Sequence, residues 1–271
     1  MQVHAKTIVV KLGGNVLTDV DATAGIAADV VALIAAGNSV VLVHGGGNLI
    51  DEHLKALGIK LEKKEGLRVT NAETLEAVQE VLDFVNADLG ARLAAAGVVT
   101  EGFNSKSGLL TASKAVIKNV AGIACDLGFV GTVNGVDSTA LKAAIAEGKT
   151  PLVAPLAVDV SGQLFNINAD EVASAVASAL AADSLLFMSD VPGVLHKEGL
   201  GSLPVVSPID LDKLMADGTV HSGMIPKLEK AFEALETGVS SVQIIDGRQP
   251  GSLLKALSKP GSNGTVLAVK S

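Results

Sequence analysis

The feature that most constrains this fold is the alternation of short apolar runs with longer amphipathic segments. TIVVKL (7–12) and SVVLVH (39–44) are almost continuous in Val and Leu, as strands buried on both faces of a parallel sheet usually are. The segment 21–37 between them predicts a helix that ends at Gly37. This alternation predicts a mostly parallel, doubly wound sheet covered by helices.

The alternation continues to the end of the chain. Residues 72–97 predict a long helix with Asn71 as its N-cap. We find no low-complexity linker and no repeat of fixed period, so we expect one unit with two lobes that meet near helix 170–182. Further strands or hairpins are predicted at 98–103, 109–133, 150–157, 158–167 (turning at Ser161-Gly162), 184–189, 241–246 and 265–270, and further helices at 138–148, near 209–217, at 223–237 and from Ser252.

Composition argues against several classes of protein. The 271 residues carry a net charge of −8, a single cysteine (Cys125) and neither Trp nor Tyr. Nucleic-acid-binding proteins usually present a basic surface and aromatic platforms, so we expect no nucleic-acid partner. The sequence has no apolar run of roughly 18 residues and no signal-peptide pattern, and a lone cysteine suits a reducing compartment. We therefore expect a cytoplasmic protein with no membrane contact.

Two predicted strands end in glycines. The first strand runs into Gly13-Gly14 and the second, after His44, into the triplet 45–47. Glycines at a strand end allow close approach of the backbone and can turn amides toward an anion. A plain βα turn explains the first pair equally well, whereas three glycines carry an entropic cost that a simple turn does not require. Neither run matches the dinucleotide or P-loop fingerprint.

Polar residues precede the predicted helix that begins near residue 170. In FNINADEV, Asn168 followed by Glu171 has the spacing of a capping box. That interpretation leaves Asn166 and Asp170 unassigned, although an Asp in a first helical turn is also favoured by the helix dipole. This motif alone favours structure as much as function.

Several charged and polar residues stand where an anion could bind. Lys11 lies near the end of the first strand, and Lys227 lies near a helix N-terminus, where the dipole disfavours a cation unless an anion is present. Ser189 and Asp190 end another strand, where they could bind nucleotide or cap a turn. Together these features predict an α/β enzyme that handles phosphate.

Arg68 stands between Leu67 and Val69 in the segment KEGLRVTNAE. A planar guanidinium can pair with a carboxylate through two parallel hydrogen bonds, as lysine cannot. The residues alone leave two readings open, a surface arginine and a clamp for a carboxylate. His44 could be a base, but at a strand end we expect a histidine whose hydrogen bonds are satisfied.

The chain resembles the amino-acid kinase family over residues 7–268. The resemblance rests on seven motifs that occur in the same order: KLGG, HGGG, GLRVT, NxNAD, SDVPG, GM-x-x-K and GT-x-L. The resemblance implies a three-layer αβα sandwich around a mostly parallel open sheet. It implies an N-terminal lobe (1–175) that binds an acyl amino acid and forms a homodimer, and a C-terminal lobe (176–271) that binds ATP. The implied reaction is transfer of the ATP γ-phosphoryl group, with nucleotide-bound Mg²⁺, to the side-chain carboxylate of N-acetyl-L-glutamate, a step of arginine biosynthesis.

The resemblance also implies roles for individual residues, while the sequence itself shows no metal-ligand spacing such as HExxH or CxxC, so no metal site is expected. The catalytic cations would be Lys11 and Lys227, oriented by Asp170. The phosphate path and nucleotide lobe would use Gly13, Gly14, Ser189 and Asp190, with the amide of Gly46, and the acceptor would be held by Gly45, Gly46, Arg68 and Asn166.

Three alternatives follow from the same motifs. A related kinase could phosphorylate a carrier-protein-linked aminoadipate or glutamate, and a non-catalytic sensor could share the fold. A dehydrogenase is disfavoured because no GxGxxG opens a helix.

The first predicted strand is preceded only by MQVHAK, and these six residues are too few for a stable helix. In the family, arginine-inhibited hexamers pair through an extra N-terminal helix, so we expect a dimer without arginine inhibition.

Overall fold

The computed structural model describes residues 5–118, 122, 124–196, 201–220 and 224–268. Within these residues the helices are α1 (Gly14–Thr18), α2 (Val20–Ala35), α3 (Gly47–Ala56), α4 (Ala72–Ala95), α5 (Ser138–Ala146), α6 (Ala169–Ala179), α7 (Pro208–Ala216), α8 (Ile225–Glu236) and α9 (Ser252–Ser258). The strands are β1 (Thr7–Leu12), β2 (Ser39–His44), β3 (Lys63–Lys64), β4 (Leu67–Arg68), β5 (Thr100–Phe103), β6 (Leu110–Lys114), β7 (Ile117–Lys118), β8 (Ala124–Cys125), β9 (Gly131–Val136), β10 (Thr150–Val153), β11 (Leu156–Val158), β12 (Leu164–Asn166), β13 (Ser184–Ser189), β14 (Val205–Val206), β15 (Val242–Asp246) and β16 (Gly264–Leu267).

A central eight-stranded sheet organises the molecule, in the order β14-β16-β15-β13-β1-β2-β10-β5. Every neighbouring pair is parallel except β15 and β16. Successive residues of β1 pack into two different apolar clusters, Val9 on one face and Val10 on the other. Helices therefore cover both faces, which confirms the predicted three-layer αβα sandwich.

A smaller four-stranded sheet, β12-β11-β6-β9, flanks the cleft described below. It contains the hairpin predicted for 158–167, in which β11 pairs antiparallel with β12, and β6 pairs antiparallel with β9 as expected for 109–133. The prediction of a single strand over 150–157 is wrong, because this segment forms two strands, β10 and β11, with an interruption between them. Pro155 has no N–H to donate to a ladder, and β11 joins the smaller sheet instead of the central one.

Two helices were missed because both begin in glycine-rich turns, α1 at Gly14 and α3 at Gly47. Four predictions fall partly on residues outside the described ranges. They are the short segment before β1 (1–4), part of the hairpin predicted for 109–133 (119–121 and 123), the start of the helix predicted for 223–237, and the end of the strand predicted for 265–270. Across the described part of the chain, no helix is both long enough and apolar enough to cross a membrane.

Candidate active site

A cleft of about 360 Å³ lies at the carboxyl ends of β1, β2 and β13, where ligands of open α/β sheets usually bind. Its floor and walls come from segments that are far apart in sequence. Asp170 lies next to the lining, in contact with Lys11 and Lys227. The predicted residues that line the cleft are Lys11, Gly13, Gly45, Gly46, Arg68, Asn166, Ser189, Asp190 and Lys227.

Two lysines share one buried carboxylate at the floor of this cleft. Lys227 Nζ donates to Asp170 Oδ2 at 2.8 Å. Lys11 Nζ lies 2.9 Å from Oδ1, in an ion pair that lacks hydrogen-bond alignment. All three side chains are only 11–13% exposed. Lys227 also lies over the ring of Phe187, 5.3 Å from its centroid, which favours the cationic form. The cluster carries a net charge of +1.

The secondary structure fixes this cluster from three sides. Lys11 is presented by β1, Lys227 by the first turn of α8, and Asp170 by the first turn of α6, where a carboxylate is favoured by the helix dipole. Burial alone would raise the pKa of Asp170, but the charges of Lys11 and Lys227 outweigh it and hold that pKa well below its usual range. Burial, and then repulsion from Lys11, lower the pKa of Lys227 to about 8 against the attraction of Asp170.

Arg68, on the β3–β4 hairpin, also lines the cleft, and its side chain is 9% exposed. Its Nη2 donates to the carbonyl of Gly47 at 3.1 Å and to Asp51 Oδ1. Lys63 donates to the other oxygen of Asp51 at 2.8 Å. The guanidinium thus already binds one carboxylate of the protein through one nitrogen, and the Arg68 Nε is buried with no acceptor among the described residues.

Asn166 is tied to the arginine segment through Thr70. The Thr70 hydroxyl donates to the carbonyl of Arg68 at 2.9 Å and accepts from Asn166 Nδ2 at 3.3 Å. Gly128 packs so closely on this segment that a Cβ there would lie 2.2 Å from the Thr70 carbonyl oxygen, and its φ is +68°. Sequence analysis missed Thr70 and Gly128, and also Asp51 and Lys63, because only their tertiary contacts identify them.

The glycines play more varied roles than predicted. The amide of Gly13 donates to the carbonyl of Met188 at 3.1 Å, contrary to the expectation that it faces the phosphate path. The amide of Gly45 likewise donates to Leu12. A Cβ on Gly46 would lie 2.9 Å from Leu82, so only glycine fits there without a shift. The N-cap residue of α3, Gly46, provides no side-chain cap, and the first turn from Gly47 has no acid, so this N-terminus favours an anion.

The predicted capping box is half correct. Asn168 is the N-cap of α6, but its side chain accepts from the amide of Asp170. Glu171 instead accepts from the hydroxyl of Thr132 and the amide of Val133, because β9 of the smaller sheet places both donors beside it.

His44 is fully buried and satisfied, as expected. Its Nδ1 lies 2.9 Å from the carbonyl of Gly45, and its Nε2 lies 3.1 Å from Asn86 Nδ2. Burial lowers the pKa of His44 to about 4, so this histidine is neutral near pH 7.

Comparison with known proteins identifies the family. The sequence model described as "Amino acid kinase family" matches residues 6–246. The chain belongs to the amino acid kinase family. The sequence is 43% identical to an acetylglutamate kinase of Rhodopseudomonas palustris, in an alignment that covers 97% of this chain and 90% of the relative. It is 39% identical to an acetylglutamate kinase of Bordetella avium, covering 98% and 89% respectively.

Solved structures share the amino acid kinase fold. An N-acetylglutamate synthase from Neisseria gonorrhoeae, complexed with coenzyme A and N-acetyl-glutamate, superposes with a TM-score of 0.85 at 27% identity. The match covers 98% of this chain and 60% of the synthase, so this chain spans somewhat over half of that protein. The protein smu.665 from Streptococcus mutans superposes with a TM-score of 0.82 at 28% identity, covering 97% and 99%.

Proposed function

We propose that this protein transfers the γ-phosphoryl group of ATP to the side-chain carboxylate of N-acetyl-L-glutamate, a step of arginine biosynthesis. The observation that carries the proposal is the cluster of Lys11, Asp170 and Lys227 at the floor of the cleft. Two ammonium groups held by one carboxylate form a buried, preorganised positive site suited to a transferring phosphoryl group. The names of the curated relatives support the choice of acceptor.

The chemistry needs no general base. The side-chain carboxylate of a glutamate has a pKa of about 4.3, so the nucleophile is already ionised near neutral pH. One carboxylate oxygen forms a bond to the γ-phosphorus while the bond to the β,γ-bridging oxygen breaks and ADP leaves with the electron pair. The neutral, internally bonded His44 is consistent with this absence of proton transfer.

The chain's own residues would position the reactants and balance charge. Lys11 and Lys227 would stabilise negative charge on the moving phosphoryl oxygens, and Asp170 would keep both ammonium groups aimed at it. Arg68, Asn166 and the glycines 45–46 would hold the acceptor. Ser189 and Asp190, which also line the cleft, would face the nucleotide.

Mg²⁺ would arrive with the nucleotide. Among the described residues, no group of three or more His, Cys, Asp and Glu side chains is arranged to hold a metal ion. Mg²⁺ typically keeps several waters and is bound through phosphates with one or two carboxylates. That donor set fits this cleft, where Asp190 is a lining carboxylate, and the ion would neutralise part of the phosphate charge.

The proposed reaction is tested by an ATP-dependent hydroxamate assay, in which hydroxylamine traps an acyl phosphate. The acceptors are N-acetylglutamate, glutamate, aspartate and aminoadipate, with UMP and carbamate tested separately by ADP release. We expect N-acetylglutamate to give the highest kcat/KM. Better use of free aspartate, UMP or carbamate would contradict the proposal, and no turnover with any acceptor would favour a sensor.

We further propose that residues 1–175 form the acceptor-binding and dimerising lobe and residues 176–271 the ATP-binding lobe of a homodimer. Arg68 and Asn166 fall in the first lobe, and Ser189, Asp190 and Lys227 in the second, so the cleft would bring the two reactants together.

A further inference from the structure

We infer that Asp51 is a positioning residue for the acceptor, holding Arg68 and the β3–β4 hairpin against the cleft; this rests on the proposed function. Asp51 lies on α3, one turn after Gly47. Its two oxygens accept from two cations of the hairpin, Arg68 through Oδ1 and Lys63 through Oδ2. The strands of this hairpin are only two residues long each, so a side-chain tie contributes much of its placement.

The tie fixes the orientation of the arginine. A guanidinium carries five N–H donors in one rigid plane, so holding Nη2 of Arg68 between Asp51 and the carbonyl of Gly47 sets where the other donors point. One of these, Nε, is buried with no acceptor among the described residues. A buried donor without a hydrogen-bond partner is destabilising, and an acceptor carboxylate in the cleft that Arg68 lines would supply the missing partner.

Asp51 also balances charge at the rim. Lys63 and Arg68 both line the cleft, and both are bonded to this one carboxylate. Burial would raise the pKa of Asp51, but the hydrogen bonds from Lys63 and Arg68 prevail and lower it, so the carboxylate stays ionised near neutral pH. Without that charge, the two cations would repel each other and Lys63, already 48% exposed, would turn toward water.

The effect should be confined to acceptor binding, because Asp51 bonds to neither Lys11 nor Lys227 in the hydrogen bonds and ion pairs of the described residues. We expect Asp51→Asn to raise the KM for N-acetylglutamate about tenfold or more, because small misplacements of a binding group are costly. The kcat and the KM for ATP should stay within about twofold. Asp51→Glu should recover part of the loss.

A matched control is Glu52→Gln, which removes the same charge from the exposed next residue of α3 and should leave all constants unchanged. In an Arg68→Lys background, the Asp51→Asn effect should shrink to about twofold or less, because residues that act through one another are not additive. Thermal melts establish that each variant is folded, and Asp51→Glu decides the matter should Asp51→Asn fail to fold.

An unchanged KM in folded Asp51→Asn, a parallel loss of kcat, or an equal effect in the Arg68→Lys background would overturn the inference. The wild type is assayed first on the full acceptor panel. If it prefers another carboxylate, the proposed function fails, while the inference stands or falls on the KM of Asp51→Asn for that preferred acceptor. A wild type inactive on every acceptor overturns both.

Discussion

At the floor of the cleft, each lysine keeps its partner when the other is removed, because Asp170 pairs with both Lys11 and Lys227. We therefore predict that Lys11→Ala and Lys227→Ala each lower kcat by on the order of 10²-fold or more, with little change in stability, since such groups act mainly in the transition state. Steady-state kinetics and thermal melts measure both effects. Lys230→Ala, on the same helix but paired with Glu233, is the control, and a near-normal kcat without Lys227 would remove the proposed phosphoryl-transfer site.

The depressed pKa of Lys227, about 8, predicts a specific pH dependence. Lys227 loses its charge as pH rises through that value, and a neutral amine attracts phosphate poorly. The kcat/KM for ATP, which reports the free enzyme, should therefore fall above about pH 8. The kcat should fall at higher pH, because bound phosphates raise the pKa of the lysine. Profiles of kcat/KM and kcat from pH 6 to 10 measure both declines. Lys227→Arg should abolish the fall in kcat/KM above about pH 8. A flat kcat/KM to pH 9.5 in the wild type would contradict this assignment.

At single positions, the sequence signals an unusual placement for Lys227, a cation near a helix N-terminus that lines the cleft. Arg68 also lines the cleft, but it stands in a charged stretch with Lys63, Lys64 and Glu65, and the family resemblance rather than the residue itself suggested a carboxylate clamp. Asp51 gave no such signal, because its helix was itself missed and its partners lie 12 and 17 residues away along the chain. The internal use of the Gly13 amide was equally invisible, since glycine leaves open whether its N–H faces a ligand or the neighbouring strand.

Between β2 and α4, His44 and Asn86 form a buried polar link, and Asn86 also donates to the carbonyl of Leu152 at 2.9 Å. The pKa of His44 is about 4 in the fold and 6.5 when unperturbed. Between these values the unfolded chain binds more protons, so stability rises with pH there and is lost as pH falls from about 6.5 toward 4. The loss should reach up to about 3 kcal/mol for this single group.

Urea unfolding at pH 7, 5.5 and 4.5 measures the pH dependence attributed to His44. His44→Asn should flatten the slope even if it lowers stability at pH 7. An identical slope in His44→Asn would show that other groups dominate acid sensitivity.

Helix α9 has no side-chain cap of its own and no acid in its first turn. Asp29, on α2, instead accepts from the amide of Leu253 at 3.1 Å across 224 residues. We predict that Asp29→Ala lowers the free energy of unfolding by about 1–2 kcal/mol, as loss of a cap does, without changing kcat. Asp29→Asn, which keeps a side-chain oxygen, should be milder. Urea unfolding measures this against Asp212→Ala, an exposed site on α7; equal losses at both sites would refute the capping role.

Helices and strands were predictable where their signals are local. Asn71 caps α4 as predicted, through the amide of Thr74, and the apolar runs of β1, β2 and β13 form the centre of the sheet. The break at Pro155 and the diversion of Glu171 to Thr132 depend on which sheet lies alongside. Such choices are made by tertiary packing, which overrides local propensity.

Across the whole molecule, the net charge of −8 contrasts with the local positive charge of the cleft. The parallel topology accounts for this, because it brings the carboxyl ends of β1, β2 and β13 to one edge. Residues from both proposed lobes then meet there without forming one continuous motif in the sequence. The family resemblance, which spans residues 7–268, was therefore more informative than any single motif.

The proposed homodimer would use the first lobe, where an apolar groove is lined by residues of α1, α3 and α4, among them Leu17, Leu49 and Phe84. The Phe84 ring is 66% exposed, and large apolar side chains grouped at a surface favour association. A closed two-fold dimer would bury the same patch on both copies. We predict twice the chain mass of 27.3 kDa by light scattering, and a monomer for Phe84→Glu. Val160→Glu, at an exposed hairpin turn, should remain dimeric. A dimer that persists in Phe84→Glu would place the interface elsewhere. A monomeric wild type would contradict the proposed homodimer.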